Sequence, residues 1–187
     1  MSHDIFKQRG DALEGQFFRR IDDELAIKLK EKWQHERDIE SLRKESHIQD
    51  DAVLEELLYV GIQPGTLQAM TLVPAIHVAW ANGYVENKER DAVIHAAKNM
   101  GIDTESSPGQ LLTSWLKHKP TSELFQAWED YIKALKGIIN VVAYRHLHES
   151  AINTAENIAK SAGGMLGVLA ISFAEQQAIK QIDEAFL

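Results

Sequence analysis

HVAWANGYVENKER, residues 77–90, is the stretch on which the fold turns. An apolar run ending at Trp80 meets Asn82-Gly83, and the acids Glu86 and Glu89 follow at once. Gly83 offers the left-handed backbone that closes a helix, and Asn82 tolerates an exposed turn. Acids in the first turn of a following helix favour its dipole. The stretch therefore reads as one helix, a tight turn and a second helix. A calcium loop is the competing reading. Setting Gly83 at the sixth position of an EF-hand loop places Val85 at the eighth and Glu89 at the twelfth. The first and third positions then fall on Val78 and Trp80, whose side chains cannot ligate calcium.

Outward from this turn the helix signals continue. The second helix of the pair spans about 87–100 and stops at Gly101. The first is entered at Pro64 and carries Pro74 inside it, which predicts a kink near Met70–Pro74. Before it, DDAVLEELLYVG forms a short helix entered at Asp50 or Asp51 and ended by Gly61. Upstream, Asp11 and Glu14 have capping-box spacing. Leu13, Phe17, Ile21, Leu25, Leu29 and Trp33 then recur every four residues, a stripe that winds around a helix of 3.6 residues per turn. The expectation is a long N-terminal helix over about 11–45 that leaves the core before it ends.

Downstream, Ser107-Pro108-Gly109-Gln110 has capping-box spacing and starts a helix that Pro120 ends. Thr121 or Ser122 caps a helix expected to run to about Ala162, with Gly137 as its weak point. Gly163-Gly164 breaks it, and the box Ser172–Glu175 opens a last helix. Strand signals are scarce. The prediction is an all-α bundle of about seven helices. It divides into an N-terminal arm (1–49), a helical core (50–162), and a Gly-rich linker with the C-terminal helix (163–187).

Composition narrows the function. Of 187 residues, 44% are hydrophobic and 26% charged, enough for a sizeable core. Net charge is -8, and no Lys/Arg cluster stands out, which argues against a nucleic-acid or anionic-membrane binder. Cysteine is absent, so thiolate zinc sites and cysteine nucleophiles are excluded. The N-terminus is polar, with no signal peptide in view, and the longest uncharged run is too short and Gly-rich to span a membrane. These features read as a cytoplasmic protein. No Glu-x-x-His, His-Glu-x-x-His, Gly-x-Ser-x-Gly, P-loop or dinucleotide fingerprint occurs.

Two constellations merit weighing. His77 and His95 lie on the two helices of the central pair, with His77 opposite Asp91; a structural His77–Asp91 hydrogen bond is the plainer reading, and a histidine metal pair the sharper one. On the long helix, Trp128, Leu135 and Val142 repeat every seven residues beside Ile132 and Ile139. Continuing these rows lands on His146, Glu149 and Asn153. A solvated face is the plainer reading. A buried polar cluster would need a partner or ligand, for buried polar groups must be paired.

LVPAIHVAWANGYVENKERDAVIHAAKNMGI, around this turn, resembles the tellurite-resistance TerB-like family, most clearly over residues 67–102. The resemblance implies a TerB-like helical bundle with the 64–100 helix pair at its centre, a link to stress response, and metal binding through acids at the turn. The matching positions are Asn82, Glu86 and Glu89, with Asn82 where the family usually has Asp. The function expected is a non-enzymatic interaction or scaffold module, with a protein partner or self-association. The alternative is a metal-binding module holding a divalent cation through His146, Glu149 and Asn153, or through His77, Glu86 and Glu89.

Overall fold

A computed structural model describes residues 25–162 and 171–187. Every regular element among them is helical. α1 covers 25–46, α2 Asp51–Tyr59, α3 Val73–Ala79, α4 Asn87–Asn99, α5 Ser107–Lys117, α6 Ser122–Lys136, α7 Val141–Ala162 and α8 Phe173–Glu184. No helix among the described residues is long and apolar enough to cross a membrane. The expected box at Asp11–Glu14 and the Gly163-Gly164 break lie outside the described residues.

The chain forms two units, divided between Glu40 and Ser41. The division falls earlier than the boundary expected at position 50, because Leu42 and Ile48 are fully buried in the second unit's core. Ser46 secures that entry: its hydroxyl donates to Leu42 O at 2.7 Å and accepts from Ile48 N at 3.1 Å. In the first unit, Leu25, Leu29 and Trp33 on α1 are exposed.

Local chemistry explains most helix ends of the second unit. Asp50 caps α2 through Ala52 N at 2.9 Å. Gly83 takes φ +89°, and its N–H donates to Trp80 O at 2.9 Å, closing α3. α5 starts at Ser107, the residue expected to cap it, and the cap is one residue earlier, with Ser106 accepting from Gly109 N at 3.3 Å.

Two helices differ from the sequence reading. Pro74 does not kink a long helix. A 3-10 turn, Leu67–Leu72, precedes α3, and Pro74 sits in the helix's first turn, where its missing N–H costs nothing. The helix expected over 121–162 breaks at residues 137–140, and Asn140 restarts the chain by accepting from Ala143 N at 2.9 Å. With that break the described residues form eight helices, in keeping with the expected all-α bundle of about seven.

The core lies where α3 packs on α6, α7 and α8, and α4 packs on α7. Trp128, 1% exposed, sits in it with Leu54, Leu72, Ile132 and Ile182.

Candidate functional site

α3, closed by Gly83, aims His77 and Trp80 at the start of α6 and one face of α8. These three helices enclose a cleft of about 590 Å³. Its apolar walls are Ile76, Trp80, Leu124 and Phe125; Lys119, Glu129 and Gln177 supply polar groups. His77 Nε2 meets Gln181 Oε1 on α8 at 2.8 Å. The imidazole stacks on Phe125 with ring centres 3.8 Å apart and planes 12° apart. Burial, opposed by Gln181 and assisted by Lys119, lowers the His77 pKa. In place of the expected His77–Asp91 hydrogen bond, His77 makes this cross-helix pairing with Gln181 on α8. His95 turns to Asn99 on its own helix, 3.2 Å away.

The first turns of α4 and α8 hold a pair of buried carboxyl groups. Glu86 N donates to Glu89 Oε2 at 2.7 Å, and Ser172 N donates to Glu175 Oε2 at 2.6 Å, each closing a capping box. Ser172 Oγ also donates to Asn82 Oδ1 at 3.1 Å, which ties the start of α8 to the α3–α4 turn. Glu89 is 1% and Glu175 2% exposed, and Oε1 of each is buried without a hydrogen-bond partner. From spacing alone, Ser172–Glu175 signals a helix start and nothing more. The recurrence of an N-cap-x-x-Glu pattern at 86–89 and 172–175 is the signal that pairs them.

Burial is the largest cause raising the Glu89 pKa to about 7; the Glu86 N–H opposes it, and Glu175 and Glu86 add repulsion. The folded carboxyl thus holds its proton to higher pH than the unfolded one. Its contribution to stability is complete below the unfolded pKa and is lost as pH rises through about 7. Across roughly pH 5 to 8, the wild type should lose on the order of 2 kcal/mol relative to Glu89→Gln. Thermal melts of both proteins over that range measure it, and parallel curves would contradict the assignment.

The other proposed ligands on α7 lie on a solvated face. His146 and Glu149 have side chains 70% and 55% exposed, 3.6 Å apart, and Asn153 is exposed. The row turns polar because the chain breaks after α6: Trp128, Ile132 and Leu135 are buried, whereas Val142 on α7 is already exposed. Glu86 is half-buried at the α4 start, and the imidazole of His77 is engaged by Gln181. Among the described residues there is no group of three or more His, Asp or Glu side chains placed to hold a metal ion.

No family model, no curated protein and no solved structure matches the chain.

Proposed function

We propose that the protein is a non-enzymatic interaction module, cytoplasmic and of TerB-like descent, that associates with a protein partner or with itself through α1. The observation that supports this reading is the exposure of Leu25, Leu29 and Trp33, the last at 61%. Spaced by four, they fall within an arc of about 80° on the helix. Exposed apolar stripes on soluble helices mark association surfaces, and Trp is a frequent anchor in them. The stress-response link follows from the family resemblance alone.

Sedimentation of the full chain, with a pull-down from cell extract, tests the reading. The wild type should sediment above its monomer mass or retain a partner. Leu29→Glu with Trp33→Glu should weaken that association by at least about tenfold, leaving thermal stability nearly unchanged. A wild-type monomer that retains nothing would sink the proposal.

A metal-binding module is the second reading, and the unpartnered oxygens of Glu89 and Glu175 favour it. The fit is partial. A hard divalent cation asks for about six to eight oxygens, and two carboxyl groups are what the described acids bring together here. Elemental analysis of protein purified without chelator tests it; absence of stoichiometric metal would remove it.

A further inference from the structure

Among the polar groups lining the cleft between α3, α6 and α8, His77 offers a hydrogen-bond acceptor on a ring held in place. A carboxamide oxygen only accepts, so with the Gln181 amide oriented Oε1 toward the ring at 2.8 Å, the hydrogen-bond pattern assigns the hydrogen of His77 to Nε2. Burial and Lys119 disfavour a second proton on the ring. Nδ1 therefore carries a lone pair, and no donor among the described residues meets it. The ring cannot easily swing away, being pinned by Gln181 at one edge and by Phe125 against its face.

The surrounding groups define what would meet that lone pair. The Trp80 indole N–H is spent on Trp115 O at 2.8 Å, and the Gln126 amide on Asp130 at 3.3 Å. Trp80 and Phe125 are left as flat apolar walls. Lys119 and Glu129 contribute one charge of each sign, so the cleft favours neither an anion nor a cation. Its 590 Å³ lies within the usual range for small-molecule sites.

We propose that this cleft binds a small, uncharged aromatic molecule that donates one hydrogen bond to Nδ1 of His77. The aromatic walls supply contact area, and the fixed tautomer supplies selectivity. A molecule of the same shape without a donor leaves the acceptor buried and unmatched. This site is separate from the association surface on α1, and neither depends on the other.

Indole and indene, alike in shape but differing in the N–H, are the probes. Saturation-transfer NMR on the full chain near neutral pH reads their binding. Indole should bind saturably, and indene about tenfold more weakly. His77→Phe retains an aromatic ring against Phe125 but removes the acceptor, and should bind both probes equally. Gln181→Glu places a carboxylate against Nε2, favours the doubly protonated ring, and turns Nδ1 into a donor; it should abolish the indole preference in a protein with unchanged helical content. Equal binding of the two probes to the wild type would overturn the proposal. So would a preference that survives both variants, or no saturable binding of either probe.

Discussion

Trp128→Ala lowers the stability of the protein by about 3–5 kcal/mol, the range for deleting a buried indole whose surroundings cannot collapse. Trp128 is 1% exposed, in the middle of α6. Phe125 lies 5.3 Å from it ring to ring, and Phe186 meets it edge-on at 5.8 Å and 70°. It also lines a gap of about 280 Å³ beside Met70, Ile132 and Leu135. Removing the indole enlarges a space that already exists, so relaxation recovers little of the lost contact. Urea unfolding followed by circular dichroism measures the loss, and Trp128→Phe should fall between variant and wild type. A loss under about 1.5 kcal/mol would show that the site repacks. Phe125 also supports the His77 imidazole, so the same variant should disturb the cleft.

The second large effect has the opposite sign from the one helix propensity suggests. Gly109 lies in the first turn of α5, where Ala normally gains up to about 1 kcal/mol. Here a Cβ would overlap the carbonyl oxygen of Asp103 and lie 2.7 Å from both Asp103 C and Thr104 Cα. These are backbone atoms of a turn that is already committed. Asp103 O accepts from Ser106 N at 3.0 Å and from Ser106 Oγ at 2.5 Å, and Asp103 Oδ1 accepts from Glu105 N at 3.0 Å. Moving the turn away from a new methyl group breaks the cap that starts α5. Gly109→Ala should therefore destabilise by about 3 kcal/mol or more, the upper end for overpacking. Differential scanning calorimetry decides it. A variant as stable as the wild type would mean that residues 103–106 shift freely.

Much of this architecture was legible in the sequence because the helices announce their own ends. Gly83, Asp50 and Ser172 act locally, and each takes its expected role. Pro74 and Gly137 show where local reading stops. A proline inside an apolar run signals a kink or a start with equal force; the 3-10 turn before it, set by packing of Leu67, Met70 and Leu72, decides for a start. Gly137 alone is a weak point, and the break needs Asn140 to restart the backbone. Once the helix is divided there, the polar row at His146, Glu149 and Asn153 becomes an ordinary solvated face.

The candidate site was half-legible. His77 and Glu89 stand out on their helices, but their partners are far along the chain. Gln181 lies 104 residues from His77, and Ser172 lies 90 residues from Asn82. Nothing in the spacing of a single sequence encodes contacts of that range. A glutamine on a polar helix face and a phenylalanine beside a helix start carry no motif, so the stack and the fixed tautomer emerge only once α8 is laid against α3.

That placement of α8 has a consequence for the order in which the molecule is made. On the ribosome, α3, α4 and α6 emerge first, and with them His77, Phe125 and Glu89. The chain at that stage has an imidazole with no fixed tautomer, a carboxyl without its counterpart, and a trough in place of a cleft. Ala174, Gln177, Ala178 and Gln181 complete the wall in one step, with Glu175 on the same helix. Recognition at the cleft and the buried acid pair therefore come into existence together, when α8 follows α3, α4 and α6, and a nascent chain halted before α8 possesses neither.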